Sequence, residues 1–157
     1  MLQLSTQKNI SGLDQASWNN LHGSQHPFAA HGFLSGLEKH QCLRERWGWQ
    51  ASPVLLHANG DLIAAASAYI KTNSHGEFVF DHAWAHAYAR SGHEYYPKLL
   101  IATPYTPVTG PRLLASNDIG REMLIELIEQ KVGHETLSSA HINFLPESET
   151  RSFPDYW

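Results

Sequence analysis

Asp81, His82, Trp84, His86 and Tyr88 lie within eight positions of one another. A carboxylate or a neutral imidazole can accept a proton, and an indole or phenol contacts a ligand while burying apolar area. Gly92-His93-Glu94-Tyr95-Tyr96-Pro97-Lys98 follows at once. Thr103–Arg112 then sets three prolines and a glycine around Tyr105, Thr106, Thr109 and Arg112. Proline-braced loops hold side chains at fixed positions, as a site requires.

Three readings fit these residues. In the first they hold a metal. His82 and His86, four residues apart, put two imidazoles on one helical face, with Asp81 and His93 to complete a shell. The Glu-before-His pattern of zinc peptidases is absent. In the second they form an acyl-transfer or ligand site. Asp81 or a neutral histidine takes a proton from an amine nucleophile. Trp84, Tyr95, Tyr96 and Tyr105 line the pocket, and Lys98 or Arg112 holds an anionic group. In the third the aromatics are core residues with a satisfied polar end.

The elements that position these groups are read from periodicity and turn chemistry. Gln3–Lys8 reads as a short edge strand. Asp14–Leu21 reads as a short helix with Ser11 or Asp14 as its cap. Pro27 breaks the chain, and Phe28–Cys42 has the spacing of an amphipathic helix, with Cys42 a small buried hydrophobe on it. Trp47-Gly48-Trp49 closes that region as a loop. Pro53–Ala58 and Leu62–Lys71 form an antiparallel hairpin about Asn59-Gly60-Asp61. Glu77–Phe80, Lys98–Thr103 and Ser139–Leu145 read as further strands. Asp118–Val132 reads as a helix capped by Asn117 or Asp118 and closed by Gly133. The order predicts an α/β (α+β) domain with a mixed sheet covered by helices.

Bulk properties narrow the function. A chain of 157 residues, 42% apolar, fits one domain with a sizeable core. A net charge of −4 without a Lys/Arg cluster argues against DNA as a partner. The single cysteine, Cys42, excludes an intrachain disulfide and points to a reducing, cytoplasmic setting. The N-terminus lacks the pattern of a signal peptide, and no apolar run has the length of a membrane span.

Ala66–Asp81, continuing through Trp84–Tyr88, resembles the FemAB-like family of bacterial proteins, described as acting in peptidoglycan biosynthesis/recognition. Tyr95–Leu100 and Pro104–Leu114 are similar to its other strong motifs. Pro27-Phe28 with Phe33-Leu34 looks like its opening segment. The resemblance implies the fold of the acyl-CoA N-acyltransferase (GNAT) superfamily, a central twisted sheet with flanking helices. It also implies transfer of an acyl or aminoacyl group to an amine, with acyl-CoA or aminoacyl-tRNA as donor. Two departures qualify this. Typical members are more than twice as long, so a domain over 1–145, a tail over 146–157 and a missing C-terminal region are expected. The superfamily's acetyl-CoA signature is also absent. Its nearest equivalent, Ala115–Arg121, precedes a helix whose first turn carries Asp118 and Glu122, which would repel a pyrophosphate.

The resulting assignment makes Asp81, His82 and Lys98 catalytic. Trp84, His86, Tyr88, Tyr95, Tyr96, Tyr105, Thr106, Thr109 and Arg112 bind substrate, no cofactor loop is assigned, and no metal is bound. The rival is a non-catalytic module that binds a cell-wall peptide, a glycan or a partner domain. If the chain is half a fold, an exposed sheet edge would pair with a second copy or with the missing domain.

Overall fold

The structure is a computed structural model that describes residues 2–5, 7–21, 26–155 and 157. The α+β class is as expected, but the strands are divided between two four-stranded sheets. One sheet runs β1 (Leu2–Ser5), β3 (Val54–Ala58), β4 (Asp61–Ala66), β7 (Leu114–Ala115) and is antiparallel throughout. The other runs β2 (Trp49–Ala51), β5 (Ala68–Lys71), β6 (Lys98–Ile101), β8 (Ala140–Ile142). Only its last pair, β6 with β8, is parallel.

The division arises in the predicted hairpin. The strand expected over Leu62–Lys71 is interrupted at Ser67, whose hydroxyl donates to the Ala102 carbonyl at 3.2 Å. Ser52-Pro53 interrupts the facing strand, because proline supplies no ladder donor. Ala64 and Ala65 therefore pair with β7, while Ala68–Lys71 pair with β6.

Both faces of the sheets are covered, which is why these strands read as unbroken apolar runs. Val54, Leu56, Ala64, Ala66, Leu99 and Ile101 pack on Leu124, Ile125 and Ile128 of α4 (Asp118–His134). Leu55 and Ala65, on the opposite face, meet Trp18 and Leu21 of α1 (Gln15–Leu21) and Leu34 of α2 (His31–Lys39). Trp49, Tyr69, Leu100 and Ala102 form a third cluster on the second sheet.

Asp14 caps α1 by accepting the Ser17 amide at 2.8 Å, and Asn117 caps α4 by accepting that of Gly120 at 2.8 Å. Several expectations are corrected. Gly133 lies inside α4, which ends at His134. The second helix starts only at His31 and ends at Lys39, so half-buried Cys42 lies beyond it. Trp47-Gly48-Trp49 is not all loop. Glu45–Trp47 is a 3-10 turn, Gly48 takes φ 78°, and Trp49 opens β2. The first strand is Leu2–Ser5, and Thr6 of the expected Gln3–Lys8 strand lies outside the described residues. Glu77–Phe80 is a bend and irregular backbone rather than a strand, and α3 (His82–Arg90) follows it. Beyond residue 145, α5 (Glu147–Thr150) brings Glu149 back to accept the amides of Arg112 and Leu113, at 3.1 and 3.0 Å. Tyr156, in the expected tail, lies outside the described residues.

Leu99 is fully buried where β6 meets α4. Leu99→Ala is expected to cost about 2–5 kcal/mol in urea unfolding, because it leaves a cavity where two elements meet.

Candidate functional site

Alternation along β5 and β6 puts Tyr69, Lys71, Lys98 and Leu100 on one face, and Lys71 lies directly across from Lys98. Both lysines are fully buried. Lys98 Nζ donates to Glu77 Oε2 at 2.9 Å, to Asp81 Oδ2 at 2.5 Å and to Ser74 Oγ at 3.4 Å. Tyr95 adds its hydroxyl to Asp81 Oδ2 at 2.7 Å, and Ser74 Oγ lies 2.6 Å from the Tyr96 hydroxyl. Among the described residues Lys71 has no ion pair with a carboxylate. Its Nζ sits 3.8 Å from the centre of the Trp49 ring and donates to the His75 carbonyl at 3.1 Å.

Asp81 occupies the N-cap position of α3 but makes no cap hydrogen bond, because its carboxylate is turned to Lys98 and Tyr95. Burial acts to raise the Asp81 carboxyl. Hydrogen bonds from Lys98, Ser74 and Tyr95, with the charge of Lys98, outweigh it and hold the group down at about 2. Glu77 is raised, because burial outweighs the help it receives from Lys98 and Lys71. Its second oxygen, Oε1, has no hydrogen-bond partner among the described residues. Burial, with Lys98 opposite, brings Lys71 down to about 8. An Asp81 so firmly ionised is a counter-ion, and a poor proton acceptor at neutral pH.

His141 joins this face from β8, in register with Leu100. Its ring lies 5.8 Å from that of Tyr95, and its Nε2 lies 2.9 Å from Ser139 Oγ. Burial first, then the charge of Lys98, lowers its pKa, which favours the neutral imidazole.

The segment held by Lys98 forms one wall of an open groove of about 890 Å³. Trp47, Trp49, Tyr105, Arg44, Arg46 and His75 line it, and none of the described lining residues is acidic. Arg44 and Arg46 stack on Trp47, 4.8 and 4.9 Å from its ring centre. Tyr105 lies 5.2 Å from Trp49, donates to the Cys42 carbonyl at 3.1 Å, and packs so closely on Gly76 that a Cβ there would come within 2.6 Å of its ring. A second groove of about 770 Å³, between β2 and the end of α4, mixes Lys8 and Lys131 with Glu45 and Glu135.

A family model described as FemAB-like, peptidoglycan biosynthesis/recognition, matches residues 9–156. The chain belongs to the FemAB-like family. No curated protein and no solved structure matches it.

In this FemAB-like chain the assigned site residues separate into distinct environments. Asp81, Lys98, Tyr95 and Tyr96 come together. His82, Trp84 and His86 are exposed on α3, and Tyr88 leans on Tyr95 with ring centres 5.2 Å apart. Among the described residues no three His, Cys, Asp or Glu groups are placed to hold a metal. Tyr105 is on the groove, while Thr106 donates to the nearby Pro104 carbonyl at 3.0 Å and Thr109 is exposed. Arg112 is buried, and its guanidinium donates to the carbonyls of Asn143, Val108 and Pro111. Sequence reasoning did not single out Glu77, Lys71, His141 or the Arg44–Trp49 stretch. A lysine at the interior end of each of two apolar strands was the available signal.

Removing Lys98 leaves two buried carboxylates without their cation. Lys98→Met is expected to cost about 3–5 kcal/mol in urea unfolding. Because Asp81 is held at about 2, below its ordinary 3.8, its contribution is complete above about pH 4 and is lost as pH falls toward 2. That contribution is on the order of 2 kcal/mol. Asp81→Asn should therefore flatten stability against pH over this window, as followed by circular dichroism.

Proposed function

We propose that this FemAB-like protein recognises an acidic peptidoglycan-derived peptide or glycan in the groove of Trp47, Trp49 and Tyr105. The observation that carries this is the groove's make-up. In a chain of net charge −4, it presents two arginines, the exposed aromatics Trp47 and Tyr105 over a buried Trp49 and, among the described residues, no carboxylate. Guanidinium forks match carboxylates, and aromatic faces cover apolar or ring-shaped ligand surfaces. The stacking of Arg44 and Arg46 on Trp47 orders those forks before a ligand arrives, which lowers the entropy lost on binding. The ion cluster supports the reading indirectly, since Glu77 and Asp81 anchor the wall that carries His75.

His141 favours a second reading, transfer of an acyl or aminoacyl group to an amine. A neutral imidazole beside Tyr95 is the group best suited to take the amine's proton as the new N–C bond forms and the donor's ester or thioester bond breaks. Asp81 and Lys98 would then hold the surroundings of that imidazole in place.

Calorimetry with the full chain tests the first reading. A muropeptide with free carboxylates should bind at least tenfold more tightly than its amidated form, about 1.4 kcal/mol. Arg46→Ala and Trp47→Ala should each weaken it about tenfold. Neither should lower the melting temperature, as both side chains are exposed. Unchanged affinity in both variants removes the groove from the account. In the second reading, His141→Ala abolishes acylation of the amine but leaves muropeptide affinity unchanged.

A further inference from the structure

Ser139 Oγ lies 2.9 Å from His141 Nε2, and both residues are only half-buried, so solvent and small molecules reach the pair. Two positions apart along a strand, they share one face. Such a contact is not by itself a catalytic pair, and three further observations distinguish this one. The first is the state of the imidazole. Burial and the charge of Lys98 favour its neutral form, so Nε2 can accept the serine proton when Nδ1 carries the ring's own. The second is its support. Tyr95 packs edge-on against the ring, with centres 5.8 Å apart, and Tyr95 is itself fixed by its hydroxyl on Asp81. The adjacent Ser138 is engaged elsewhere, since its hydroxyl donates to the Tyr95 carbonyl at 2.5 Å.

The third is the open edge of the sheet. Among the described residues β8 pairs with β6 alone. The Leu99 amide donates to the Ser139 carbonyl at 2.9 Å, and the Asn143 amide to that of Ile101 at 3.0 Å. Residues 139, 141 and 143 therefore bond toward β6, and the Ala140 amide between them points off the open edge. A backbone N–H on the residue after a nucleophile is suited to stabilise an oxyanion. Ala140 also lines an apolar groove of about 360 Å³ with Ile142, Leu145, Phe153 and Trp157, which offers an acyl chain apolar surface next to the serine.

We infer that Ser139 is a nucleophile that takes an acyl group from an ester or thioester donor, with His141 as its general base. As the Oγ–C bond forms, the Ser139 proton passes to His141 Nε2. The donor's C–O or C–S bond then breaks, and the imidazolium returns that proton to the leaving group. In the second step an acceptor attacks the acyl-serine, its proton passes through His141 to Oγ, and the Oγ–C bond breaks. For an amine as that acceptor the inference rests on the transfer reading above; the acyl-serine itself does not.

The full chain with p-nitrophenyl acetate tests it. A burst of about one p-nitrophenolate per chain is expected, with one acetyl group located on Ser139 by peptide mass spectrometry. Ser139→Ala should abolish the burst at an unchanged melting temperature, and Ser139→Cys should restore an acylated side chain. His141→Ala should slow acylation at least a hundredfold. The inference is overturned if no burst occurs, if the acetyl group lies elsewhere, or if Ser139→Ala reacts as the native chain does. Glycine methyl ester, added as amine, separates the two claims. An acetyl-serine that forms but is lost only to water supports the inference and removes the transfer reading. Amine acylation that survives in Ser139→Ala supports that reading and overturns the inference.

Discussion

Lys71 and Lys98 face each other across β5 and β6, both buried. Opposed like charges destabilise a strand pair, and burial strengthens their repulsion. The structure resolves this by treating the two ammonium groups differently. Lys98 receives two carboxylates and a hydroxyl. Lys71 receives an aromatic face and one carbonyl, and its affinity for the proton drops. All of these partners but Trp49 come from residues 74–81, so the strand pair depends on that segment for its compensating groups.

What the segment presents outward follows from that anchoring. On one side, His75 and Gly76 are fixed against Lys71 and Tyr105 and complete the wall of the cationic, aromatic groove. On another, Phe78 to Phe80 are held out between Glu77 and Asp81. Asp81 forgoes capping α3 in order to reach Lys98, which places α3 at the end of the anchored turn. A buried charge cluster is a costly way to gain stability, since well-packed apolar groups of similar volume often do as well. Its geometric specificity, three groups meeting at one nitrogen, is what an apolar core would not supply. The FemAB-like match, over residues 9–156, spans the groove, the cluster and the turn alike.

Much of the framework was legible in the sequence because it is local. Asn59-Gly60-Asp61 between two apolar runs specifies a hairpin, as Asn59 and Gly60 adopt φ 53° and 96°. Asn117 before an amphipathic run specifies a helix start. The misread element, Glu77–Phe80, failed for an equally physical reason. Its aromatic and β-branched residues suit a strand, but Glu77 is drawn inward by an ammonium 21 residues away, which turns the backbone and exposes Phe80. His82 and His86 were read for their spacing, and the helical face they share is real, but it points to solvent.

By itself the sequence determined the α+β class, the central hairpin, the long helix and the density of polar and aromatic groups between Tyr69 and Arg112. Each depends on periodicity or on the conformational preference of a few neighbouring residues. Only the tertiary structure decided which of those groups meet. It joined Asp81, Lys98 and Tyr95, added Glu77, Lys71 and His141, turned Arg112 inward to backbone carbonyls, and brought Arg44–Trp49 opposite Tyr105. Those choices depend on strand register and on cancelling buried charge. Both are set by pairs of residues far apart in the chain, and no local pattern encodes them.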